Sequence, residues 1–123
     1  MNQAWKTGLS FGLTSGVITT LGLMVGLYAG THSRVAVLGG IVTIAVADAL
    51  SDAMGIHLAE ESKKHRPAGE VWEATLATFA SKFLVAGTFV VPVLMYSLDH
   101  AIVISVIWGL FLLTALSIFV ARV

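Results

Sequence analysis

Four long apolar runs divide this chain, and they constrain its fold more than any other feature. They cover residues 7–29, 35–58, 74–98 and 101–121. A helix needs about 20 apolar residues to cross a hydrocarbon core of about 30 Å, and each run reaches that length. Hydrophobic residues make up 57% of the 123 residues, and charged residues only 11%. The sequence therefore predicts an all-α, polytopic membrane protein, with four transmembrane helices in a single domain, residues 1–123.

The connections between the runs are polar and differ in length. Residues 31–33 and 99–100 form short links, so the helices they join are antiparallel neighbours. The middle connector, about residues 59–73, is longer and highly charged. We expect the second helix to run past the bilayer into residues 60–64 and the third to start near Gly69 and Glu70. Basic residues concentrate on the side that holds both termini and this connector: Lys6, Lys63, Lys64, Arg66 and Arg122. Only Arg34 lies on the other side. The positive-inside rule predicts cytoplasmic termini, in a plasma (inner) membrane or a vacuole-type membrane.

Charge and motifs exclude several classes of function. The formal net charge is zero, so no overall positive field attracts nucleic acid. The chain has no cysteine, which rules out disulfides and thiolate metal sites. The sequence also lacks the phosphate-binding loop, the paired-histidine zinc motif and the nucleophile elbow. We therefore expect a protein that is not an enzyme, holds no tight cofactor and contacts membrane lipid rather than nucleic acid.

Glycine recurs at every fourth position in the first run and forms two small-residue ridges. The first ridge is Gly8, Gly12 and Gly16, and the second is Gly22, Gly26 and Gly30. Small ridges let another helix approach closely. That helix belongs either to the same protomer or to a symmetry mate, and the sequence leaves both open. Ala45, Ala49 and Ala53 form a further small ridge on the second run.

Two aspartates, Asp48 and Asp52, lie inside the second run. A carboxylate in a membrane helix costs about 2.5–3.5 kcal/mol on insertion scales, so such residues usually have a function. At spacing four both side chains share one helix face, with Cβ atoms about 5–6 Å apart. The pair is suited to binding a hard divalent cation or to sharing one proton. The structural alternative is a pair kept protonated, or hydrogen-bonded to Ser and Thr of the first run.

A single lysine, Lys82, lies inside the third run, at a depth similar to that of Asp52. One hypothesis is an ion pair between Lys82 and either Asp52 or Asp48. The alternative is that the Lys82 side chain extends to the membrane surface. If the ion pair forms, the site loses one negative charge and is more typical of a proton-linked switch than of a fixed metal cage.

A second set of polar side chains lies nearer the end of the second run. Met54, His57, Glu61 and His65 share one face if the helix stays regular, and Glu60 is adjacent. Thioether, imidazole and carboxylate ligands suit a borderline metal such as Fe(II), Co(II) or Zn(II). The alternative is a solvated helix end in the headgroup region.

Several stretches resemble the vacuolar iron transporter family. Residues 15–27, SGVITTLGLMVGL, are similar to the first helix of that family, and residues 47–55, ADALSDAMG, to its second. Residues 73–92 and 101–123 resemble its third and fourth helices. Ser15 stands where the family has an aspartate, and Asp52 where it has a methionine. The chain resembles a short, divergent member without the fifth helix and without most of the cytoplasmic metal-gathering domain.

This resemblance implies a proton-coupled exporter of Fe2+ or Mn2+ that works as a homodimer, with the ion path near the two-fold axis. The glycine-rich first span would then lie at the dimer interface. Asp48 and Asp52 would bind the ion, Ser15 and Thr19 would face them, and Lys82 would adjust their charge. Candidate metal ligands are those two aspartates with a cytoplasmic group: Met54, His57, Glu60 and Glu61.

Two other functions fit the same residues. One is a small dimeric exporter of organic cations, driven by protons on the aspartates. The other is a structural or accessory membrane subunit that transports nothing, in which Asp48, Asp52 and Lys82 hold the helices together. We take the divalent-cation transporter as the leading interpretation.

Overall fold

The computed structural model describes residues 3–122, which fold into four long helices without a strand. These are α1 (Gln3–Thr31), α2 (Arg34–Glu61), α3 (Ala68–Met95) and α4 (Leu98–Arg122). Each is long and apolar enough to cross a membrane. The predicted all-α membrane protein with four spans is therefore confirmed, while the predicted homodimer stays a prediction.

The ends of the helices differ from those predicted by hydropathy. Helix α2 continues to Glu61, and α3 begins at Ala68, directly after the extended Pro67. The break before α4 comes at the extended Tyr96 and not at residues 99–100, so Asp99 lies in the first turn of α4. An acidic side chain there interacts favourably with the positive end of the helix dipole. The end at Glu61 lies in the predicted range 60–64, and the start at Ala68 lies one residue before the predicted Gly69, because polar residues can continue a helix once it leaves the hydrocarbon core.

The first glycine ridge packs inside the protomer, where α1 lies along α3. A Cβ atom on Gly8 would lie 2.6 Å from the carbonyl oxygen of Ala74, and one on Gly12 would lie 2.7 Å from that of Thr78. Only glycine permits this approach. The second ridge is different, because a Cβ atom on any of its glycines would meet nothing within 4 Å. The second-run ridge of Ala45, Ala49 and Ala53 is also buried within the protomer.

Two of the four helices are irregular in the middle of their length. Helix α2 contains a π-helical turn, Ile44–Asp48, between two α-helical segments. Helix α3 is interrupted at Phe89, between Ala68–Thr88 and Val90–Met95. The break in α3 follows from Pro92, which has no N–H to donate to the carbonyl one turn earlier. The π turn ends on Asp48, and π turns of this kind occur frequently at functional sites.

Hydrogen bonds connect the helices at the end of the bundle opposite the chain termini. The Arg34 guanidinium donates to the carbonyl oxygens of Val93 and Tyr96, where α3 ends. The Tyr28 hydroxyl donates to Asp99 at the start of α4. The carbonyls at a helix C-terminus have no partner within the helix, so Arg34 satisfies groups that would otherwise lack one.

Candidate functional site

A polar cluster lies halfway along the helices. Asp48 and Lys82 each lie fourteen residues after the first residue and thirteen before the last of a 28-residue helix, α2 and α3 respectively. Ser15 lies near the middle of α1. All three therefore lie well inside the spanning part of their helices, far from either end. The sequence predicted such a depth for both aspartates and for Lys82.

Lys82 is the centre of this cluster and is completely buried. Its Nζ donates to Oδ2 of Asp48 at 2.5 Å, to Oδ2 of Asp52 and to Oγ of Ser15 at 2.9 Å. An ammonium group has three hydrogens, and here each has an acceptor. The hypothesis of an ion pair is therefore confirmed. The lysine pairs with both aspartates, which the sequence had left as alternatives, and does not extend to the membrane surface.

Ser15 links α1 to the acids, and Thr19 does not. The Ser15 hydroxyl donates to Oδ2 of Asp52 at 2.8 Å while its oxygen accepts from Lys82. The Thr19 hydroxyl instead donates to the backbone carbonyl of Ser15 at 2.6 Å. Ser15 thus has the position that the sequence predicted for both residues, and Thr19 supports its backbone.

The cluster is unbalanced in charge and open on one side. When all three groups are ionised, two carboxylates face one ammonium. The Asp48 side chain is 35% exposed and that of Asp52 is 20% exposed, whereas the Lys82 side chain is completely buried. Leaving an ionised carboxylate in contact with hydrocarbon is costly. The exposed edge of the carboxylates therefore needs a cation, a proton or another polar surface beside it.

The second predicted set of metal ligands does not assemble. Met54 lies on an apolar groove that Trp72 and Phe79 also line. Glu60 is buried and paired with Arg66 and Lys63. His65 follows the end of α2 with a φ of 64°, so it is off the helical face that the prediction required. Within residues 3–122, no three His, Asp or Glu side chains are grouped to hold a metal ion.

His57 and Glu61 are the part of that set that stays together. Nε2 of His57 lies 3.3 Å from Oε2 of Glu61, and Nδ1 lies 2.9 Å from Oγ1 of Thr75. The ring of Trp72 packs edge-on against the imidazole, with centroids 4.6 Å apart. Sequence reasoning missed Thr75, although its spacing of seven from Lys82 places both on one face of α3.

Comparisons with known proteins identify no relative of this chain. No protein-family model matches the chain, and no curated protein or solved structure matches it either. Fold and site together define a membrane protein of four spanning helices, three of which contribute to an ion cluster in the middle of their length.

Proposed function

We propose that this protein is a proton-coupled transporter of divalent metal cations, and that the Asp48–Lys82–Asp52 cluster is its exchange site. The observation that carries the proposal is the Lys82 ammonium, which occupies the position between two carboxylates that a divalent cation would take. A site at the membrane midpoint can be reached from either side after a modest rearrangement, and transporters commonly bind their substrates there.

Charge arithmetic links cation and proton. With both carboxylates ionised and Lys82 protonated, the cluster carries one net negative charge. Entry of a divalent cation would bring it to one net positive charge, and loss of the Lys82 proton would then return it to neutrality. A net charge in a membrane is costly, so exchange of one proton for each divalent cation would leave the cluster neutral, and this is the coupling that we propose.

The proposal includes the direction of transport, which is export from the cytoplasm, and the transported ion, which is Fe2+ or Mn2+. The distribution of Lys and Arg supports cytoplasmic termini, in a plasma (inner) membrane or a vacuole-type membrane. The resemblance to vacuolar iron transporters supports Fe2+ or Mn2+ as the ion and export from the cytoplasm as the direction. Two carboxylates and a hydroxyl are oxygen ligands that suit Mn2+ and Fe2+ more than softer ions.

A second copy of the chain is proposed to cover the open side of the cluster. Exposed small residues recur at every fourth position along α2: Gly39, Thr43, Ala47, Ser51, Gly55 and Ala59. Asp48 and Asp52 each directly follow one of them. The second glycine ridge of α1 is also uncovered. Small surfaces of this kind allow close packing of membrane helices, and two facing clusters would place four carboxylates around one path.

Cysteine cross-linking tests the dimer, because the chain has no native cysteine. Ser51→Cys lies on the proposed interface and is expected to form a disulfide-linked dimer in native membranes under mild oxidation. Val103→Cys is the matched control, since Val103 is 58% exposed on α4, away from that surface. Equal cross-linking of the two variants would contradict the dimer.

Reconstitution into liposomes tests the function. Wild-type protein is expected to carry Mn2+ or Fe2+ into or out of liposomes, and Asp52→Asn is expected to lose at least nine-tenths of this flux while still folding. The physical reason is that the amide keeps the shape of the side chain but removes one of the two charges that attract the cation. Thr114→Val, on α4, is the control, and its flux is expected to match that of wild type. Full flux in Asp52→Asn would contradict the exchange site and favour a structural role for the cluster.

A further inference from the structure

A second polar site lies near the end of α2, where the His57 ring lies between Thr75 and Glu61. The Thr75 hydroxyl donates to the carbonyl oxygen of Val71, 2.8 Å away. Its oxygen lies 2.9 Å from Nδ1 of His57 and can accept a hydrogen bond from that nitrogen. In the neutral tautomer that donates from Nδ1, Nε2 presents a lone pair.

That lone pair points at a carboxylate. Nε2 lies 3.3 Å from Oε2 of Glu61, one turn further along the helix. When Nε2 is protonated, the two side chains form an ordinary hydrogen-bonded pair, and when it is not, both atoms are electron-pair donors that one metal ion can share. Metal–ligand bonds of about 2.0–2.2 Å to nitrogen and oxygen can bridge two donor atoms at this spacing.

The surroundings hold the ring in place and leave the site open to water. Trp72 packs against the imidazole, and the His57 side chain is 15% exposed while that of Glu61 is 65% exposed. Both line a cavity of about 180 Å3. Arg66 lines it too, but its guanidinium is paired with Glu60 and Glu70, which offsets its positive charge. A cation can therefore reach His57 and Glu61 from solvent.

We propose that Nε2 of His57 and the Glu61 carboxylate bind a borderline divalent metal ion such as Co2+, Zn2+ or Fe2+, with water completing its coordination. Thr75 is a positioning residue that orients the His57 ring through Nδ1, as outer partners of metal-bound histidines do. Imidazole favours these ions over Mg2+ and Ca2+, which prefer oxygen. As a capture site for the cargo this inference rests on the proposed function, and of the two proposed cargo ions it favours Fe2+ over Mn2+.

Metal titration of the full-length protein in detergent tests the site. Co2+ is the probe, followed by calorimetry and by its visible absorption, in the Asp52→Asn background to weaken binding at the membrane cluster. His57→Gln and Glu61→Gln are each expected to weaken Co2+ binding at least tenfold. Thr75→Val is expected to weaken it about tenfold, and Thr75→Ser to restore it. His100→Gln is the matched control and is expected to change nothing, because His100 bonds to Ser97 at the start of α4.

Three results would overturn the proposal: no Co2+ binding, equal binding by wild type and His57→Gln, or full competition by Mg2+. Each concerns binding alone, so it is distinguishable from failure of the proposed function. If the protein transports cations but His57→Gln does not change its Co2+ affinity, the capture site is contradicted and the transporter proposal stands. If Co2+ binds at His57 but no flux is seen in liposomes, the transporter proposal is contradicted and the metal site stands.

Discussion

Replacing Lys82 with methionine is expected to lower the free energy of unfolding by about 3 kcal/mol. Methionine fills a similar volume, but it leaves Asp48 and Asp52 facing each other without the ammonium that both accept from. Removing one partner of a buried ion pair costs about 3–5 kcal/mol, and the partial exposure of the two carboxylates places the effect at the lower end. Thermal or denaturant unfolding in detergent measures this change.

Two further variants isolate the cause. Lys82→Met combined with Asp48→Asn is expected to recover part of the lost stability, because it removes one of the two unpaired charges. Lys64→Met is the control, and a change within about 0.5 kcal/mol is expected there, since Lys64 is exposed on the connector. A Lys82→Met protein as stable as wild type would show that the ion cluster does not hold α2 against α3.

Gly12→Ala is expected to destabilise the protein by about 2 kcal/mol, the second large effect. A Cβ atom on Gly12 would overlap the Ser81 side chain and lie 2.7 Å from the backbone carbonyl of Thr78. Backbone cannot move aside as a side chain can, so α1 and α3 must separate. Because Ser15 is on the same helix, this separation also weakens its bonds to Lys82 and Asp52, and lower cation flux is expected as well.

A graded series distinguishes close packing from a general cost of substituting glycine. Gly16→Ala is expected to cost less than Gly12→Ala, because its nearest neighbour is a Val85 methyl group at 3.3 Å. Gly87→Ala meets nothing within 4 Å and is expected to be neutral or slightly stabilising, since alanine has the higher helix propensity. Equal effects at Gly12 and Gly87 in unfolding measurements would contradict the packing of α1 on α3.

The four helices were predictable from the sequence because a helix that crosses lipid needs about 20 consecutive, mostly apolar residues. Their irregularities were not. No residue of the π turn Ile44–Asp48 marks it in the sequence, and the turn packs against α3. The helix ends at Glu61 and Ala68 were predicted from the polar connector, but the break at Tyr96, which hydropathy placed at residues 99–100, was not.

The site was predictable to the extent that charge in an apolar run is conspicuous. Asp48, Asp52 and Lys82 stand out for this reason, and Ser15 was suggested by the family resemblance. Whether Lys82 bonds to one aspartate or both depends on how α2 and α3 pack, which spacing along one chain does not determine. The pairing of Glu60 with Arg66 could not be predicted either, because it depends on how the connector folds back onto α2.

Simultaneous recording of cation and proton movement in one liposome preparation tests the central claim most directly. Purified wild-type protein is reconstituted with a metal-sensitive dye and a pH-sensitive dye inside, and Mn2+ or Fe2+ is added outside. We expect cation entry to be coupled to proton exit. A more acidic medium outside the liposomes opposes proton exit and is therefore expected to slow cation entry. Cation and proton levels that change no faster than in protein-free liposomes would contradict it.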